Sequence, residues 1–201
     1  MKNKGLLIGC GVGAVLVVII IGIVMWGVGI YNDLVRIDES VTQSWSQVEN
    51  QYQRRFDLIP NLVNTVKGVA EFEKETFTAV TEARSKVGQI NAGEVLNDPA
   101  KFEQFQAAQG ELSSALSRLM VVVENYPQLK ANENFLQLQA QLEGTENRIS
   151  VERMKFTQRV QEYNTRIRQF PANIIAGVAG FTVKPNFSAQ PGADQAPKVE
   201  F

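Results

Sequence analysis

The chain is predicted to be all-α: an N-terminal transmembrane helix followed by an antiparallel up-and-down bundle of long helices. Three observations carry this. No charged side chain occurs from Gly5 to Ile30. Beyond that stretch, apolar residues recur every three or four positions, the period of a helix with one buried stripe. The breaks in the pattern fall at Asp98-Pro99, Pro127 and Pro171, where proline starts or stops helices. A length of 201 residues fits one membrane segment and one domain of ordinary size.

The anchor comes first. Gly5 to Ile30 is built of Leu, Ile, Val, Gly and Ala, with Met25 and Trp26 near its far end. Roughly 20 apolar residues cross the hydrocarbon, and a secretory signal has only about 7 to 15, so an uncleaved anchor is expected. Leu7-Ile8-Gly9-Cys10 resembles a lipoprotein processing site, but only Gly5 to Gly9 precede the cysteine as apolar region, which favours a cysteine packed in a membrane helix. Lys2, Lys4 and the amino terminus precede the segment, and Arg36 is the only cation between Tyr31 and Asn50. The flanking charge therefore predicts a cytoplasmic N-terminus and an extracytoplasmic domain. Gly5, Gly9 and Gly13 repeat at four-residue spacing, a face on which a second helix can approach closely, so homo-oligomerisation through the membrane is expected.

The first stripe after the membrane is Leu34, Ile37, Val41, Trp45, Val48, Tyr52 and Phe56, with Trp45 read as core. Asp57 offers an N-cap and Pro60 suits a first turn, opening a second stripe of Leu62, Val66, Val69, Phe77, Val80 and Val87. Arg54 and Arg55 then sit at a corner where cations favour a helix C-terminus. The weakly periodic Gly88–Asp98 reads as a loop, and Asp98-Pro99 opens a helix with the stripe Phe102, Phe105, Leu112, Leu116, Leu119, Val123 and Tyr126. After Pro127, the last stripe runs Phe135, Leu138, Leu142, Ile149, Phe156, Val160, Tyr163, Ile167 and Phe170 to Pro171. Four helices are preferred. The alternative is three, with residues 54–60 forming a kink rather than a turn, since proline permits either. With four, the end of the last helix returns to the membrane, where Ile174, Ile175, Val178 and Phe181 would meet lipid headgroups. With three, the same residues would cap the bundle or meet a partner.

Composition narrows the function. Lys+Arg 20 against Asp+Glu 21 leaves no basic surplus for nucleic acid. There is no histidine, the commonest general base and transition-metal ligand, and the single cysteine, Cys10, lies in the apolar segment. No phosphate-binding glycine loop follows a strand. Glu71, Glu73, Glu143, Glu146 and Glu152 lack the histidines of a di-iron bundle and match no calcium loop. Glu73 and Glu152, at or beside the seam, are read as halves of buried ion pairs with Arg84, Arg148 or Arg153 that fix helix register. No catalytic, cofactor-binding or metal-binding residue is assigned, and no small-molecule substrate is identified.

Several motifs in order resemble the LemA family. They are Tyr31-Asn32-x-Leu34-Val35, Trp45-Ser46-Gln47-Val48, Arg54-Arg55-x-Asp57-Leu58-Ile59-Pro60-Asn61-Leu62-Val63 and Thr65-Val66-Lys67-Gly68. Tyr126-Pro127-x-Leu129-Lys130-Ala131-Asn132, Glu143-Gly144-Thr145-Glu146-Asn147-Arg148-Ile149, Tyr163-Asn164 and Phe170-Pro171 continue the series. Phe72 departs from it, since many relatives carry histidine there, before the glutamate matching Glu73. The resemblance implies a membrane-anchored bacterial helical bundle without an agreed enzymatic activity. The expected organisation is an anchor over 1–30, a LemA-like bundle over 31–187 and a disordered tail over 188–201, where Pro191, Gly192 and Pro197 leave too little apolar surface to fold. The expected function is a non-catalytic scaffold of the cell envelope, with the lipid bilayer it spans, further copies of itself and an unidentified membrane or envelope protein as its partners. The alternatives are a transmembrane signalling stalk, which requires an unbroken helix from about Gly5 to Phe56, and a carboxylate metal protein or enzyme, which requires a bound ion or a polar cleft among Glu73, Glu146 and Arg148.

Overall fold

The computed structural model describes residues 2–67 and 74–188, with side chains placed for 11–67 and 75–188. Every regular element among the described residues is a helix: α1 Lys2–Lys67, α2 Lys74–Gly88, α3 Ala92–Val95, α4 Pro99–Val123, α5 Pro127–Lys130, α6 Glu133–Arg166 and α7 Ala172–Ala179. Val69, the middle of the predicted second stripe, lies outside the described residues, as do Glu71, Phe72 and Glu73.

The helix α1 passes through residues 54–60 without a turn and holds Pro60 in its interior. Asp57 is therefore not an N-cap; its carboxylate accepts a hydrogen bond from Gln53 Nε2 at 2.8 Å along the same helix. A proline inside a helix removes the hydrogen bond to the carbonyl four residues back and costs ~3 kcal/mol or more. Here that carbonyl belongs to Phe56, and Arg84 Nε from α2 donates to it at 3.4 Å. The same guanidinium lies 3.9 Å from the centre of the Phe56 ring. Ile59, Leu62 and Val66 beyond the proline are fully buried, so packing holds the helix together where its own ladder is interrupted.

The remaining boundaries follow local chemistry. Residues 88–98 are not all loop: Asn91 Oδ1 accepts from Gly93 N at 3.2 Å and caps the short α3, which buries Val95. Asp98 caps α4 by accepting from Ala100 N at 2.9 Å and Lys101 N at 3.3 Å, with Pro99 at the first helical position. Asn132 Oδ1 accepts from Phe135 N at 3.2 Å at the start of α6. The last stripe ends its helix at Arg166, before Phe170, and α7 follows as a separate helix closed by Gly180 at φ 80°. Residues 181–188 carry no regular structure.

The chain divides into two compact units, Met1–Val41 with Gln161–Val183, and Thr42–Val160 with Lys184–Phe201. In the first, Leu34, Ile37, Val41, Tyr163, Ile167, Ala172 and Ala176 are buried. Tyr163 donates its hydroxyl to Thr182 O at 3.0 Å, and Arg166 Nε pairs with Asp33 Oδ2 at 3.0 Å. In the second, a hydrophobic core draws Ile59, Leu62 and Val66 from α1, Val80 from α2, Leu112 and Leu119 from α4, and Phe135 and Leu142 from α6. Trp45 heads an aromatic layer, with ring centres 5.6 Å from Phe102, 5.4 Å from Phe105 and 5.3 Å from Phe156.

Candidate functional site

Two surfaces carry chemistry. In the first unit, every large apolar side chain of α1 from Val12 to Val28 is more than half exposed. Among the described residues this is the one helix long and apolar enough to cross a membrane. Beside it, α7 contains no charge, and its packing is inverted relative to a water-facing helix. The small Ala172 and Ala176 are buried, while Ile174 is 58% and Val178 88% exposed. Burying an aliphatic side chain of this size is worth ~1.5–3 kcal/mol, so in water these two forgo several kcal/mol. Ile175 is half-buried, and its Cδ1 lies 3.7 Å from where a Cβ would stand on Gly27. Phe181 meets Tyr31 edge to face, with centroids 6.0 Å apart. The predicted contact residues Ile174, Ile175, Val178 and Phe181 thus lie on α7 and just after it. Asp33, just past the apolar stretch, has its carboxyl held below the usual range by the Arg36 hydrogen bond and then by Arg166.

The second surface is a polar cleft of about 600 Å³ in the other unit. At its floor lies Arg55, only 1% exposed. One guanidinium nitrogen donates to Ser113 Oγ at 2.7 Å and to Glu146 Oε2 at 2.8 Å. The other donates to the Gln109 side-chain oxygen and, at 3.4 Å, to its carbonyl. The guanidinium carbon also lies 5.1 Å from the Tyr52 ring centre. Burial pushes the Tyr52 hydroxyl above its ordinary pKa, against the pull of Arg153 and Arg55, so it stays protonated in the neutral range. Arg153 and Ser188 complete the walls, with Arg153 stacked 4.2 Å from the Phe187 ring centre. Ser188 itself is bound, accepting from Gln106 Nε2 at 2.9 Å through its carbonyl. The arrangement neutralises a buried cation and joins α1, α4 and α6 through one polar layer.

These positions correct several sequence expectations. Arg55 caps no helix end, because α1 continues to Lys67; it is the buried charge of the core. Among the described residues, the ion pair with a buried member is Arg55–Glu146. Glu152 instead pairs with its neighbour Lys155 at 2.8 Å, and Arg84 attends Phe56. The cleft contains Glu146 but not Arg148, and Glu73 lies outside the described residues. Sequence reasoning passed over Arg55 because paired arginines before Pro60 look like a helix end. The available signal was its position three residues after Tyr52 on the buried stripe. Phe187 was passed over too, since it follows a stretch with no period. Gly5 and Gly9 lie outside the residues whose side chains are described, and Gly13 has open space around its Cβ position.

An all-α chain led by one exposed, apolar helix of membrane-crossing length defines the class. The LemA family profile matches residues 44–201, and the chain belongs to that family. It is 28% identical, over 82% of its length, to the magnetosome proteins MamQ 1 and MamQ 2 of Paramagnetospirillum magneticum. The same identity and coverage hold for the magnetosome protein MamQ of Magnetospirillum gryphiswaldense. Against protein LemA of Metamycoplasma hominis it is 24% identical over 74% of its length. The chain spans 66% of the length of the magnetosome relatives and 64% of that LemA protein.

Proposed function

We propose that the chain is a non-catalytic, membrane-anchored scaffold of a bacterial envelope, working through self-association and contact with an envelope protein. The observation that carries this is α1, which runs from exposed apolar residues into the buried residues Leu34 to Val66 as one helix. An antiparallel four-helix bundle is the arrangement we infer for the domain. Its support is the order of contacts: as α1 advances from Trp45 to Arg55, its partner on α6 falls back from Phe156 to Glu146. Membership of the LemA family supports the absence of catalysis, as does a cleft whose arginine is already neutralised. No magnetosome role is carried over at 28% identity.

The flanking lysines support a cytoplasmic N-terminus. The test combines topology with capture. A cysteine introduced at Lys155 is expected to react with an impermeant reagent on intact cells, and photo-crosslinkers on exposed positions of α2 and α4 are expected to capture a protein partner or a second copy. Extraction of the chain from membranes by alkaline wash would overturn the anchor, and turnover of a substrate lost on a single substitution in the cleft would overturn the scaffold.

A second reading, a transmembrane signalling stalk, is favoured by the continuity of α1 through Tyr31 and Asn32. Inserting two glycines between those residues separates the readings. A scaffold keeps its captured partners, whereas a stalk loses coupling between the two sides of the bilayer.

A further inference from the structure

We infer that α7 is a second membrane element, a short interfacial helix that lies in the headgroup and outer acyl region with Phe170, Ile174 and Val178 in lipid. The inference rests on the reading that α1 crosses the bilayer. Its own observations are separate. First, depth: Ile175 meets α1 at Gly27, which precedes Ile30, the last residue of the apolar run. At 1.5 Å per residue that is roughly 5 Å inside the end of the span, the depth at which interfacial helices settle. Second, orientation: Ala172 and Ala176 are buried and Ile175 lies against α1, while the large aliphatic residues Ile174 and Val178 point away. Phe170, just before α7, is 79% exposed. Third, sequence: no charge occurs from Gln169 to Val183, while Arg166 and Arg168 precede the stretch and Lys184 follows it. A stretch of this length falls short of the roughly 20 residues needed to span, and suits a segment lying at the surface with cations at its borders. Tyr31, paired with Phe181 beside it, is the kind of aromatic residue expected at that level.

A protein partner would also accept an apolar face, but it would not require the face to sit level with the end of a lipid-facing helix. The bilayer already occupies that level if α1 spans it.

The test uses the full chain with Cys10→Ser and one introduced cysteine at a time, at Val178, Val17 or Lys155. Each is labelled with an environment-sensitive nitrobenzoxadiazole probe in vesicles of phosphatidylcholine and phosphatidylglycerol. The Val178 probe is expected to emit at shorter wavelength than the Lys155 probe, to be quenched by lipids brominated near the headgroup, and to be several-fold less quenched by aqueous iodide. The Val17 probe is expected to be quenched by deeply brominated lipids. If the Val178 probe behaves like the Lys155 probe while Val17 reports lipid, the inference fails and the anchor stands. Shielding from iodide without quenching by any bromolipid would mean a protein covers α7, and also overturns it. If Val17 reports water, both the anchor and this inference fall. Ile174→Asn with Val178→Asn, introduced beside a probe at Ala179, is expected to return that probe to aqueous emission without loss of the chain from the vesicles.

Discussion

Arg55 shows how much one side chain can decide. Its guanidinium is buried among Ser113, Gln109 and Glu146, yet the carboxylate facing it is half exposed. Removing the two ends of the pair should therefore have unequal effects. Arg55→Ala leaves a cavity and three unpaired polar partners, and should cost ~3 kcal/mol or more. Glu146→Gln leaves the arginine its Ser113 and Gln109 bonds, and its carboxylate is screened by solvent, so about 1 kcal/mol is expected. Urea denaturation of the detergent-solubilised chain, followed by circular dichroism, measures both; equal losses would refute the buried-cation account. Tyr163 makes a second prediction, through pH. Burial raises its hydroxyl to about 12, with the Asp38 charge adding to the shift. The folded state thus favours the neutral phenol, and the contribution is complete below the ordinary value of 10.0. It fades as pH rises from there toward 12, because the unfolded chain ionises first. Tyr163→Phe should flatten stability over that window while costing about 1 kcal/mol at neutral pH for the lost Thr182 bond. At this scale sequence is a poor guide: period placed Trp45 and Tyr163 in the core correctly, but charge chemistry at Arg55 depended on whether a helix ended beside it.

The interior of α1 states the problem at the scale of elements. Local rules place a cap at Asp57 and a first turn at Pro60, and α1 has neither. The long range overrode them, because Ile59, Leu62 and Val66 continue the same buried stripe and Arg84 satisfies the carbonyl that proline leaves free. A double-mutant cycle tests this. Arg84→Met should cost about 1 kcal/mol in the natural chain. With Pro60→Ala the new amide can reach the Phe56 carbonyl, so Arg84→Met should then cost clearly less, and additive effects would deny the link. Asp98 is the contrasting case, a cap legible from Asp-Pro alone; Asp98→Ala should lose ~0.5–2 kcal/mol by the same denaturation. Helices with narrow stripes were therefore predictable, but the boundary between the first two was not, since α1 runs on to Lys67. The short helices were not. α3 follows from one asparagine cap in a polar stretch, and α7 follows a proline that reads as a stop. Phe187 has no local signal at all, since its place 4.9 Å from the Phe102 ring centre is set by tertiary packing.

At the scale of the whole molecule, the anchor has a free side. Beyond their own stretch of helix, Gly11, Gly13 and Gly22 have no described atom within 4 Å of where a Cβ would stand. A Cβ at these positions therefore meets no other element of the same copy, which leaves room for a second helix. Gly5, Gly9 and Gly13 share one face by their four-residue spacing, and at 3.6 residues per turn Gly22 lies about half a rotation from Gly13. If copies associate through that face, Gly9→Ile combined with Gly13→Ile should abolish energy transfer between donor- and acceptor-labelled chains in vesicles, because two backbones can no longer approach closely. Gly22→Ile should leave it unchanged. The dilution of chains in lipid sets the scale: transfer that falls with lipid-to-protein ratio in the natural sequence, and is already low in the double variant at the highest protein density, identifies the glycine face as the contact. Equal transfer in all three proteins would place any association elsewhere on the chain, and transfer lost only in Gly22→Ile would assign it to the opposite side of α1.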